Sequence, residues 1–308
     1  MVTIAVFVIF FLIPGSPLKI TTQGMGADAR MAARLKAQLH LDTSIYQQYW
    51  IFTWNIVRHQ SLGYSYHDGT SVRWIIGQDS RVTGSLVLGG TFFWLLISVP
   101  LGIISALKPR SFVDRAGMVF VLVGISAPPV WIGLVLAYIF GFKLGWTPIA
   151  DYCNFFADSS GSCSGPMRWA YHLLLPWATF SFLFAAIYVR MIRSTVSETM
   201  REDFVRTAWA KGASRARVVT RHVFRNSMLP IVTMLGMDIG VALGGTVLIE
   251  DVFSLHGLGD ELLVATHGYD VPVVVGIVTF VAFAVIVCNF VVDVAYAWLD
   301  PRIRLTGS

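Results

Sequence analysis

Four stretches of the chain carry no Lys, Arg, Asp or Glu over lengths that meet or nearly meet the ~20 residues needed to cross a hydrocarbon core about 30 Å thick. They run from Val82 to Leu107, Ala116 to Phe142, Leu173 to Val189 and Val271 to Val292. A fifth, from Asn226 to Ile249, is apolar except for Asp238. The N-terminal run from Met1 to Ile13 is closed by Pro14, Gly15 and Pro17. At 1.5 Å per residue it reaches only about 20 Å. It reads as the outer part of a first spanning helix with a short start, or as a helix that half enters the bilayer. A signal-peptide core would need a basic flank before it and a small-residue cleavage site after it, and neither is present.

The polar residues between these runs set the orientation. Lys108, Arg110 and Arg115 face Asp114 alone after the second run, and nine basic residues between Arg190 and Arg225 face Glu198, Glu202 and Asp203. The connection from Glu250 to Asp270 holds five acids and no Lys or Arg. Short basic loops stay in the cytoplasm, so the basic connections are expected inside and the acidic one outside. The expected fold is all-α and polytopic, with six spans at 1–13, 82–107, 116–142, 173–193, 228–249 and 271–298. External segments are then 14–81, 143–172 and 250–270. The coupling loop 194–227 and the tail 299–308 lie in the cytoplasm with both termini. Within 14–81, Met31, Leu35 and Leu39 recur at helical spacing and predict an interfacial helix over Ala27 to Leu41. Tyr49, Trp50 and Trp54 mark the outer interface, where aromatic rings settle.

Composition narrows the classes. Of 308 residues, 55% are hydrophobic and 13% charged, against about a quarter charged in soluble domains. The basic residues behind the net charge of +5 lie between the apolar runs and are nearly absent within them, which is a membrane pattern rather than a nucleic-acid one. No Cys/His cluster stands at metal-ligand spacing, and there is no phosphate-binding glycine loop and no nucleophile elbow. No metal site and no cofactor in this chain are expected, so an energy source must come from a partner or an ion gradient. Cys153 and Cys163 share one external loop and are either a disulfide or two free thiols; Cys288 reads as a small packing residue within the last span.

The loop RTAWAKGASRARVVTRHVFRNSMLPIV, Arg206 to Val232, carries the remaining signal. Thr199 to Lys211 is rich in helix formers, and Gly212 stands where a helix ends in a left-handed residue. Ser214 is placed to cap a second helix through Arg225, and Pro230 falls early in the next apolar run, where a first helical turn tolerates it. A helix-turn-helix projecting into the cytosol is predicted. A basic anchor for lipid phosphates is the plainer reading, and the regularity of the segment favours docking.

That loop resembles the coupling motif of the permeases of ATP-binding-cassette (ABC) importers, with Ala208 and Gly212 at its two fixed positions. Thr207 replaces the usual glutamate, as in the peptide and nickel branch, and Lys211, Ser214, His222, Arg225, Asn226 and Pro230 fit that branch as well. Three further segments resemble its B-type subunit: LHLDTSIYQQYW (Leu39 to Trp50), LIEDVFSLHGLGDELLVATHGYDVP (Leu248 to Pro272) and NFVVDVAYAWLDPRIR (Asn289 to Arg304). The segment QSLGYS, Gln60 to Ser65, and the cysteine loop depart from the family pattern. The resemblance implies a non-enzymatic peptide permease, with nickel or another small solute as the alternative cargo. It implies a second homologous permease as heterodimer partner, two cytosolic ATPase subunits that hold ATP and magnesium, an external peptide-binding protein and surrounding lipid, with no nucleic acid. Contact with the ATPase is implied for Phe204, Thr207, Ala208, Lys211, Gly212, Ala213, Ser214, Val218 and His222.

Single polar residues carry narrower expectations. Asp238, near the middle of a span, is costly unless it meets water or a partner; it lines the path, or it pairs with a neighbouring helix. Gly236, Gly240, Gly244 and Gly245 permit close helix approach. Asp293 and Asp300 are expected to pair with Arg190, Arg193 or the loop arginines. Glu250, Asp251, Asp260 and Glu261 are solvated loop acids, or a dock or plug at the outer mouth.

Overall fold

The computed structural model describes residues 44–59, 61–156 and 163–299, together with Ile4 and Val8. The first expected span, the interfacial helix over Ala27 to Leu41 and the tail with Asp300 lie outside the described residues. Among those described, the chain is helical apart from turns and two isolated β-bridges. Helix α1 is Ile45–His59, α2 Val72–Leu107, α3 Phe112–Ser126 and α4 Pro129–Leu136, the last continued by a π-helical stretch, Ala137–Lys143. Helix α5 is Pro166–Thr199, α6 Asp203–Ala210 and α7 Arg215–Arg217, followed by a second π stretch, Val218–Val223. Helices α8, Phe224–Val252, α9, Leu258–His267, and α10, Val271–Leu299, complete the order.

Four of these segments are long and apolar enough to cross a membrane: Val72–Leu107, Pro166–Thr199, Pro230–Val252 and Val271–Val294. The third apolar run is not a straight helix. It breaks between Ser126 and Pro129, and its halves are bent by 110°. The cause is local. A residue before proline is driven to extended backbone, and Ala127 sits at φ −91°, ψ 129° and Pro128 at φ −60°, ψ 137°. Pro128 and Pro129 also lack the N–H groups a continuing helix would use. Pro129 then opens α4 at a first-turn position, where that lack is harmless.

The described residues form two compact units, those within 1–84 and 256–286, and those within 85–255 and 287–308. In the first, Val72, Ile75 and Ile76 of α2 pack with Leu258 and Ala265 of α9 and Val273 and Ile277 of α10. The turn after Gly63 is tied to this core by one carboxylate. Asp270, 2% exposed, accepts from the Ser65 hydroxyl at 2.6 Å, the Tyr66 N–H at 2.9 Å and the His67 N–H at 3.4 Å. His67 Nε2 meets the Gly268 carbonyl at 2.8 Å. The segments SLGYS (61–65) and HGYDVP (267–272), far apart in the chain, thus close on each other. Hydrogen bonds to a charged group contribute about 1.5–3 kcal/mol each. Asp270→Ala is therefore expected to destabilise this unit by about 2–3 kcal/mol, read as faster proteolysis within 60–70 of the detergent-purified chain while Asp251→Ala, an exposed acid, leaves it unchanged.

The same unit gathers acids. Burial first, then the charges of Asp68, Asp260 and Asp270, hold the Glu261 carboxyl above its usual range, with His256 opposing. The folded state therefore keeps this proton longer than the unfolded chain does, and stability from Glu261 is lost as pH rises through its folded titration. Glu250 is fully buried at the end of α8, so the acids of this connection are not all solvated loop residues. Asp251 is exposed, and Asp260 meets His256 at 3.2 Å.

In the second unit α5 is the hub, packed by α3, α4 and α8. Trp94 stacks between Phe180, Phe184 and Tyr188 of α5. A side chain at Gly89 would overlap the Trp177 ring, and one at Gly124 would press Ala186. Small residues bring membrane helices this close. Cys153 and Cys163 form a disulfide, their Cα atoms 4.9 Å apart. Cys288 is a half-buried free thiol of α10.

Candidate functional site

The basic connection is a hairpin built on one sharp corner. Helix α5 ends at Thr199, the chain turns through Met200 and Arg201, and Glu202 enters α6 with extended backbone. At the other end Gly212 adopts φ +77°. Its N–H donates to the Trp209 carbonyl at 2.9 Å, and the Ala213 N–H donates to the Ala208 carbonyl at 3.2 Å. These are the paired closing bonds of a Schellman motif, which satisfy the last helical carbonyls and need a left-handed residue at the corner. Ser214 holds the capping position before α7 with extended backbone, yet its side chain makes no capping bond.

The second arm does not stop at Arg225. Helix α7, the π stretch and α8 follow one another with right-handed helical backbone at both junctions. Pro230 therefore sits inside a continuous helix rather than in a first turn, and removes one backbone bond there. The arm is fastened elsewhere too. The Arg215 guanidinium donates to the Leu107 carbonyl at the end of α2 at 3.1 Å, and the Ser227 hydroxyl donates to Thr199 Oγ1 at 3.1 Å.

The residues expected at a partner surface divide into two sets. Phe204, Thr207, Lys211, Gly212 and Ser214 are exposed, and Ala213 and His222 are half-buried. Ala208 and Val218 point inward instead. With Val205 and Val223 they are the buried residues where α6 lies on the π stretch. Trp209, 45% exposed, was not among the expected residues, and with Phe204 at 39% it flanks the buried pair. Residues 204, 205, 208 and 209 form one apolar stripe at helical spacing. The chain covers the middle of that stripe and leaves both edges bare. The thirds-and-fourths spacing was the signal that would have found Trp209.

Deeper in the same unit, Asp238 is half-buried on α8 and accepts from the Tyr188 hydroxyl of α5 at 2.7 Å. One of its oxygens is thus held by a neighbouring helix. Gly236 is where α8 approaches α10, since a side chain there would press Val292, whereas Gly244 and Gly245 face open space. Among the described residues, no atom lies within 4 Å of a side chain placed at either position. Arg193 does not pair with Asp293. Its Nε meets Asp114 Oδ1 at 2.6 Å and a terminal nitrogen meets Oδ2 at 3.1 Å, a two-pronged pair that also receives the Arg110 N–H at 2.9 Å. Asp293 is exposed and makes no ion pair among the described residues.

Residues 98–305 match the family described as binding-protein-dependent transport system inner membrane component. The chain belongs to that family. It is therefore a multi-pass membrane component without enzymatic activity of its own, working in a complex with an ATPase and a substrate-binding protein. It is 36% identical to the di/tripeptide transport system permease protein DppB of Pseudomonas aeruginosa, over 98% of this chain and 94% of that one. It is 33% identical to the dipeptide transport system permease protein DppB of Escherichia coli K12, with the same coverage. Its fold matches a solved inward-facing structure of the MetNI methionine ABC transporter at TM-score 0.57 and 15% identity, over 74% of this chain and 97% of that one.

Proposed function

We propose that this chain is the translocating subunit of an ABC importer for short peptides, and that the hairpin Asp203–Ser214 couples it to ATP hydrolysis. The observation that carries the coupling role is the half-covered apolar stripe of α6. A chain folded alone leaves Phe204 and Trp209 exposed beside Lys211 and Arg206, which suits insertion into an apolar cleft with an acidic rim. The peptide cargo rests on the names of the two permeases described above and on the near full-length similarity to them.

In this reading the cleft belongs to one of two cytosolic ATPase subunits, which hold ATP and magnesium. A second homologous permease completes the path, and Gly244 and Gly245 with the open side of α8 face it. The bent pair α3–α4 counts as one span, giving six with both termini in the cytoplasm, and an external peptide-binding protein delivers cargo to the face bearing α9. Closure of the ATPase pair pushes α6, and the push passes along α7 into α8 and through Ser227–Thr199 into α5. The two arrangements are the inward- and outward-open states, biased from a distance by ATP.

The test is uptake of labelled peptides of two to eight residues, alongside labelled nickel, in cells lacking this gene. Restoration of peptide uptake by the wild-type gene is expected. Restoration of nickel uptake alone would overturn the cargo and leave the coupling intact.

A further inference from the structure

The cysteine loop brings together a group outside the coupling hairpin. Cys153 and Cys163 share it with His172, from the second turn of α5, and one ligand atom from each lies within 4.8 Å of the others. Cys153 is fully buried and the other two are half-buried. The orientation of the imidazole is fixed. Its Nδ1 stands 3.2 Å from the Asp151 carbonyl, and a carbonyl only accepts, so Nδ1 carries the proton. In the neutral ring Nε2 is then the lone-pair nitrogen, and it faces Cys163 Sγ at 3.7 Å. A disulfide sulfur has no proton to give it. As a free thiol, or as a thiolate across a cation, Cys163 can instead satisfy that lone pair. Histidines that bind metals are typically held this way, with the far N–H given to a carbonyl.

We propose that Cys153, Cys163 and His172 form a site for a thiophilic cation, zinc in the first instance, that alternates with the disulfide. A dithiol reductant delivers two electrons and two protons to the S–S bond and leaves as its own disulfide. Zinc then displaces both thiol protons to solvent and takes two thiolates and the imidazole. With Zn–S bonds of about 2.3 Å the separated sulfurs stand about 3.8 Å apart, the edge of a tetrahedron whose fourth corner is open to water. The spacing of these residues is longer than the short Cys-x-x-Cys repeats that betray structural zinc in sequence, so the site appears only once His172 is folded beside the pair. The same ligands also suit copper(I), since soft thiolates select it. The proposal does not depend on the cargo or on the coupling hairpin.

The full chain, purified in detergent with its partner subunits, would be stripped with chelator, reduced on an immobilised dithiol and loaded with zinc. Retention of an equimolar zinc ion by the reduced protein, and none by the oxidised one, is expected. Cobalt(II) in its place should show thiolate-to-metal charge transfer. H172A should weaken zinc by at least about tenfold, in keeping with the loss of a ligand, and a C153S/C163S variant should not retain it. If the reduced protein holds copper(I) but no zinc, and H172A weakens that, the site stands with copper as its occupant. The proposal fails if reduced wild type holds no more of either metal than C153S/C163S, if H172A binds as tightly as wild type, or if the disulfide resists reduction in the folded protein.

Discussion

Gly212→Asp is expected to leave the protein inserted and folded and to lower uptake at least about tenfold, a change of about 1.4 kcal/mol or more in the driven step. The fold has room for the side chain, because a Cβ at Gly212 meets nothing within 4 Å. What remains is backbone strain. Most residues pay about 1–2 kcal/mol for the left-handed conformation, whereas Asp and Asn enter it more readily. The aspartate thus keeps the corner at φ +77° while adding a charge at the proposed contact with the ATPase. Gly212→Asn is the matched control and should retain more uptake than the aspartate. Gly212→Val, β-branched, should loosen the corner itself and expose α6 to protease. Wild-type uptake by Gly212→Asp would remove the hairpin from the mechanism, because strain and fold are already accounted for.

Asp114→Ala is expected to destabilise the second unit by about 2–3 kcal/mol, seen as a lower midpoint of thermal unfolding in detergent. Removing one partner of a buried pair costs about 3–5 kcal/mol. Arg193 is 34% exposed, so water recovers part of that and the smaller range applies. Asp114 also receives the N–H of Arg110, a residue within the turn between α2 and α3 that takes a left-handed conformation, φ +63°. The loss should therefore be felt at both α5 and that turn. Arg193→Gln should cost less than Asp114→Ala, and the double variant less than the sum, with the difference giving the coupling of the pair. Strict additivity would mean that the guanidinium and carboxylate contribute independently.

Why Asp114 was not foreseen as the partner of Arg193 is instructive. Sequence ties acids to nearby bases, and the acids in view were Asp293 and Asp300, chosen by depth. The true partner lies 79 residues away on a helix whose packing against α5 follows from Gly124 and Ala186, a contact that no local pattern reports. The long apolar helices, by contrast, were legible because membrane length and absence of charge are properties of single segments. So was the left-handed corner at Gly212, which depends on a few neighbouring residues. The break in the third run was also written locally, in Ala127-Pro128-Pro129, and apolarity masked it because prolines count as apolar. The inward turn of Ala208 and Val218 was not legible from a motif, since a motif marks which residues matter and not which way they point. Asp238 stood out by its depth alone, and the Tyr188 hydroxyl that holds it could be found only from the packing of two helices.

The π stretch Val218–Val223 lies between the corner and the span that follows it. A π turn takes more residues than an α turn, and each residue of an α-helix advances about 100° around its axis. The stretch therefore stores angular slack. Tightening it by one residue would turn every side chain of α8 beyond it, Asp238 included, by about a quarter of a revolution and shift it along the axis by about 1.5 Å. Such a rearrangement would move the helix as a screw rather than as a lever.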